Sequence, residues 1–188
     1  NITGDLISKQ LLKNKKIIGV GETGLDFYYN HSEASIQKKV FLKHIEASQA
    51  TSKPLIVHSR NAETETLEIL SSEKKNKNFD VLMHCFTGSK EFAHNLIDID
   101  CYFSASGVIT FKKSTELAKT FKSIPNDKIL VETDSPYLSP EPLRGKINVP
   151  SNIVHTVKFI SKLKETTNED VEKFTTNNFL QLFKINIA

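Results

Sequence analysis

The chain has 188 residues, 38% of them apolar and 25% charged, enough for one globular domain with a real core. A formal charge of +3 and a pI of 8.7 are a weak basic bias that does not by itself select nucleic acid over any other partner. No apolar run approaches membrane-spanning length and no signal-peptide pattern stands at Asn1, so no membrane partner is expected.

The first residues read as a helix, with Leu6, Ile7, Leu11 and Leu12 at helical spacing. Ile17–Gly21 is a short apolar run that leads to Glu22. A loop over Gly24–Tyr29 follows, then a long helix capped near Ser32 with apolar positions at Ile36, Val40, Phe41 and Ile45. Pro54–Val57 leads to His58, and a Glu- and Leu-rich helix covers about 62–72. Lys74–Asn78 reads as a polar turn. Val81–Met83 leads to His84, and a helix through Phe92, Leu96 and Ile97 comes after Phe86–Ser89. Tyr102–Val108 is a fourth strand without a strong ligand. A helix near Ser114–Phe121 and Pro125 precede Ile129–Thr133, which leads to Asp134. A proline-punctuated loop spans Ser135–Pro150, and two helices close the chain. Thr167 and Asp170 form a capping box for the last.

Short runs this apolar read as strands buried on both faces, hence a parallel sheet covered by helices. Four of them end in Glu, His, His and Asp. In an open sheet these ligands would spread over some 20 Å, since strands lie about 4.8 Å apart. Only a curled sheet brings Glu22 and Asp134 to one point. The expected fold is therefore α/β, a TIM-type (β/α)8 barrel with its site at the carboxyl ends of the strands. The chain supplies about five of the eight strands, as a single domain over 1–188, and the remaining strands are expected before Asn1. Five strands alone leave two open edges, so the chain by itself is expected to be nearly inactive and prone to pair with another chain. Cys85 and Cys101 fall at opposite ends of neighbouring strands, too far apart to bridge. Reduced thiols in a cytoplasmic protein are the simpler reading.

Two readings stay open at several positions. Period two puts Glu132 and Asp134 on one face, so either can be the ligand. Asp26 either caps a turn or orients a ligand from behind it. Arg60 either pairs with a surface carboxylate or reaches a phosphate. Arg144 and Lys146 are either solvated loop charges or backbone-phosphate contacts. Phe27, Tyr28 and Tyr29 read as packing before they read as a base-stacking surface.

The stretches Gly21–Asp26, Pro54–Arg60, Met83–Gly88 and Leu130–Leu138, with Arg144–Asn148 after them, resemble in order and spacing the TatD family of metal-dependent deoxyribonucleases, within the amidohydrolase-type barrels. The resemblance implies that Glu22 bridges two divalent ions (Mg²⁺, Mn²⁺ or Zn²⁺), that His58 and His84 hold the second, and that Asp134 sits beside the first and takes part in catalysis. It implies DNA as the substrate, cut hydrolytically and exonucleolytically. The family's first-strand His-x-His pair has no counterpart in this chain. The alternatives are an amidohydrolase-type enzyme cleaving a C–N or ester bond, and an inactive truncated fragment.

Overall fold

The computed structural model describes residues 3–29 and 31–186. Helices and strands alternate: α1 Gly4–Lys13, β1 Val20–Asp26, α2 Ala34–Thr51, β2 Leu55–Arg60, α3 Glu63–Asn76, β3 Val81–Met83, α4 Lys90–Asp98, β4 Cys101–Ala105, α5 Thr115–Ser123, β5 Ile129–Val131, α6 Ile153–Leu163 and α7 Asn168–Phe183.

The five strands are all parallel and lie in sequence order, β1-β2-β3-β4-β5. That order separates the two α/β architectures. A doubly wound sheet reverses direction at a switch point, whereas a sheet that adds each new strand on the same side keeps its helices on one face and curls. The sheet is thus the TIM-type barrel arrangement, with about five of its strands present.

Two apolar clusters mark the two faces. The larger lies between the sheet and the helices and includes Leu25, Phe41, Ile45, Leu55, Val57, Leu70, Val81, Phe103 and Ile129. Phe41 and Ile45 carry α2 onto β1, and each fully buried side chain of this size contributes about 1.5–3 kcal/mol. The smaller, on the other face, holds Leu82, Tyr102, Leu130 and Leu182, with Phe183 against it. Residues on this face, one pleat further along, carry the chemistry. Ser89 caps α4 by accepting from the Phe92 N–H, and Thr167 with Asp170 forms the expected capping box on α7. Among the described residues no helix is long and apolar enough to cross a membrane.

Several expected boundaries shift. Glu22 does not follow β1 but lies inside it, where the pairing with β2 slips between Val20 and Thr23. Gly21 and Gly24 make that slip possible: both have positive φ, and a Cβ on Gly24 would run into the His58 carbonyl oxygen. His58 is likewise within β2. Helix α2 starts at Ala34 with Glu33 as N-cap, not Ser32. Helix α3 runs on through Lys74 and Lys75 to Asn76, where a turn was expected. The reason is a distant partner: the Gln49 amide on α2 donates to the carbonyls of Glu73 and Lys77. β4 stops at Ala105, and Gly107–Thr110 forms a 3-10 turn because the chain after β5 passes against Gly107. The outer strands are β1 and β5; Asn178 of α7 donates to the Ile129 carbonyl at the start of β5.

Candidate metal centre

The carboxyl ends of the strands open into a cavity of 540 Å³ lined by Glu22, His58, His84 and Asp134, with Arg60 and Tyr29 among its walls. All four of the residues read from the sequence as metal ligands face it. Glu22 Oε1 lies 3.4 Å from His58 Nδ1, Glu22 Oε2 lies 3.8 Å from His84 Nε2, and His84 Nε2 lies 3.6 Å from Asp134 Oδ1.

Each imidazole has a second carboxylate behind it, and that contact is shorter. His58 Nε2 donates to Asp26 Oδ2 at 3.1 Å, and His84 Nδ1 to Glu132 Oε2 at 3.0 Å. These are hydrogen-bond lengths. The inward contacts are longer and match donor atoms arranged around one small cation: metal–ligand bonds of about 2.0–2.2 Å set the edges of the polyhedron near 3.4 Å. An N–H held outward by a carboxylate leaves the other ring nitrogen with its lone pair aimed into the cavity. The donor set of two imidazoles and two carboxylates therefore fits a divalent cation. His84, Glu132 and Asp134 also offer ligand atoms within 4.8 Å of one another, but the Glu132 oxygen is already engaged by His84 Nδ1. Glu132 buttresses His84, and Asp134 is the carboxylate that faces the cavity.

The charges follow from these contacts. Its hydrogen bond with His58 holds the Glu22 carboxyl below the ordinary carboxylate value. Pairing with Glu22 raises His58, and pairing with Glu132 raises His84. Burial raises the Asp134 carboxyl. Burial also pushes the Cys85 and Cys101 thiols up to about 12, and both are free.

Backbone geometry places Asp134. Its φ of 56° breaks the strand alternation two residues past Glu132 and turns its carboxylate to the cavity. Asn148 then fastens the following loop: its buried amide donates to the carbonyls of Thr133 and Tyr137, each at 2.7 Å, and its own carbonyl accepts from Val149 and Asn152.

Asp26 itself is clamped. Gln37 of α2 accepts from the Asp26 N–H at 2.8 Å and donates to the Asp26 carbonyl at 3.0 Å. The sequence reading missed Gln37 and left Glu132 undecided; Gln37 sits in a polar, largely exposed first stretch of α2, where nothing in the sequence sets it apart. Among the described residues Arg60 pairs with no carboxylate; its guanidinium lies over the rings of Tyr28 and Tyr29 at the cavity wall. Arg144 and Lys146 do not line this cavity. They border a neighbouring depression that shares Tyr137 and Leu138 with it, where Arg144 stacks on Phe111 at 3.8 Å. His31, His44, His94 and His155 stay outside the cavity.

Several known proteins are similar to this chain over most of its length. A metal-dependent hydrolase of Buchnera aphidicola, named as uncharacterized, is 46% identical over 94% of this chain and 67% of its own length. One of Bacillus subtilis, YabD, is 39% identical over 95% of this chain and 69% of its own. The crystal structure of YjjV, a TatD homologue of Escherichia coli, superposes with a TM-score of 0.88 at 20% identity, covering 97% of this chain and 70% of that one. The chain thus spans about two thirds of the length of the proteins it matches. The family model described as TatD related DNase matches residues 5–184, and on that match and these relatives the chain belongs to the TatD family of metal-dependent hydrolases.

Proposed function

We propose that this protein hydrolyses phosphodiester bonds of DNA at a divalent-cation centre built on Glu22, His58, His84 and Asp134. The observation that carries the reading is the paired mounting of the two imidazoles, each with one nitrogen on a carboxylate and the other turned inward. His58, His84 and Glu22 would hold one cation, a three-residue donor set of the kind that suits hydrolytic chemistry. Glu22 and Asp134 offer oxygens to a second. Mg²⁺, Mn²⁺ and Zn²⁺ all suit imidazole with carboxylate. The bound cations supply the charge that polarises the phosphodiester and brings the pKa of water near neutrality.

The chain's own groups do the rest. Asp134, its carboxyl raised by burial, accepts a proton from the attacking water. Arg60 at the wall, and Arg144 and Lys146 one depression away, hold backbone phosphates. Asp26 keeps His58 in place and Glu132 keeps His84 in place. The two free thiols support a reducing, cytoplasmic setting, and residues 1–188 act as one domain.

The test is an assay with Mn²⁺ and with Mg²⁺ on single-stranded and duplex DNA, beside a panel of small amides and lactones. It is run on the 188-residue chain and on the full natural coding sequence. DNA hydrolysis is expected, and it is lost on chelation. Turnover of an amide or lactone with no cleavage of DNA overturns the nuclease reading in favour of C–N or ester chemistry.

A further inference from the structure

Asp26 ends β1, and its Oδ1 accepts the backbone N–H groups of both Tyr28 and Tyr29, each at 2.9 Å. The turn is thereby fixed with both phenol rings at the surface, 57% and 55% exposed. Large aromatic rings left this open side by side, at the rim of a cavity, mark a surface with something to bind.

The rings are already ordered. The Arg60 guanidinium lies 4.0 Å from the Tyr28 centroid and 4.6 Å from that of Tyr29. The two tyrosines meet edge to face at 5.0 Å, and Tyr29 stacks on His31 at 5.5 Å with planes 8° apart. Arg60 belongs to none of the ion pairs among the described residues. A guanidinium whose flat side rests on tyrosines still has its N–H edge to give, and that edge matches a phosphate. The ring face of Tyr28 turned away from Arg60 matches a flat heterocycle, which every nucleobase is. Arg60 and Tyr29 line the same cavity as the four ligand residues, so an anion at the cavity and a flat ring on the rim fit one nucleotide.

We propose that Tyr28, Tyr29 and Arg60 form a nucleobase platform: the base next to the bond being cut lies on the tyrosines while its phosphate meets the Arg60 edge. The proposal rests on the phosphodiesterase reading and assigns it a requirement, a base at one defined position. A base on the platform cannot remain stacked in a duplex, so that nucleotide is unpaired when it is held. Stacking is tolerant of base identity, so the platform demands that a base be present without choosing which.

The experiment is an abasic scan. A set of single-stranded pentanucleotides, each lacking the base at one position, is tested for binding by fluorescence anisotropy without added metal. The same set is tested for cleavage with Mn²⁺ in the full natural coding sequence. Unmutated protein is expected to lose affinity about tenfold at one position and little elsewhere. Tyr28→Ala flattens the scan and Tyr28→Phe, which keeps the ring, restores it. A flat scan in the unmutated protein, a position-dependence that survives Tyr28→Ala, or no binding of any member overturns the platform. The two readings separate cleanly: cleavage with a flat scan sinks the platform alone, and a peaked binding scan without cleavage sinks the nuclease alone.

Discussion

The two histidines are mounted by the same device in different surroundings. His84 hangs from Glu132, whose second oxygen, Oε1, is buried and has no hydrogen-bond partner. His58 hangs from Asp26, which lies at the rim, shares its carboxylate with two backbone N–H groups, and is clamped through its backbone by Gln37. Rigidity behind His84 comes from burial; rigidity behind His58 comes from a web of hydrogen bonds, some part-buried and some exposed. A buried carboxylate oxygen left without a partner is expensive, so the His84 mount is the more fragile of the two.

The largest expected effect tests the ligands themselves. Replacing His84 with Ala in the complete protein should cut DNA hydrolysis by orders of magnitude, while thermal stability falls far less. Unchanged turnover at saturating Mg²⁺ and Mn²⁺ would remove His84 from the centre.

The next effect breaks the comparison directly. Glu132→Gln should weaken Mn²⁺ binding by about 10–100-fold, the usual cost of losing a carboxylate behind a ligating imidazole. Asp26→Asn should cost less, about tenfold, because Gln37 still holds the backbone there. Calorimetric titration of both variants decides it: equal losses, or a larger one at Asp26, refute the ranking of the two mounts.

A pH series sharpens the same comparison. His58 and His84 are both raised above the ordinary 6.5 by their carboxylates. A raised folded-state value means their contribution to metal-free stability is complete below about 6.5 and lost as pH rises through the folded value. Cations compete with those protons, so Mn²⁺ affinity should fall as pH drops, with a midpoint above 6.5. Glu132→Gln should shift that midpoint down, since it removes the largest cause of the His84 shift. A midpoint at or below 6.5 in the unmutated protein contradicts the sign.

The smallest effects concern grip. Arg60→Ala and Arg144→Ala should each lower the log–log salt slope of DNA binding by about 0.9 on duplex or 0.7 on single strands. Slopes identical to the unmutated protein assign both arginines to packing on their aromatic neighbours.

Much of the centre was readable because its residues sit where short apolar runs stop, and strand ends are local features. Parallel strands and their order followed from the same runs. What stayed hidden depended on partners far along the chain. Glu132 and Asp134 share a strand face by period two, and the left-handed backbone at Asp134 separates the carboxylate behind His84 from the one that faces the cavity. The last turn of α3 looked like a loop by composition; Gln49 of α2 keeps it helical. Glu22 read as the residue that follows the first strand, whereas its flanking glycines let β1 press against β2 and keep it in the strand. Arg60 read as a carboxylate partner or a phosphate contact, and its stacking stayed hidden because its tyrosines come from a loop more than thirty positions away.

The Asn148 fastening has a consequence for how such a protein changes over generations. One buried amide ties the chain at Thr133 and Tyr137, on the Asp134 side of the loop, and leaves Arg144 and Lys146 on an exposed excursion beyond it. Substitutions, insertions or deletions within 141–147 then alter the outer arm without disturbing the backbone that aims Asp134. The backbone that aims Asp134 and the arm that carries Arg144 and Lys146 can therefore vary independently.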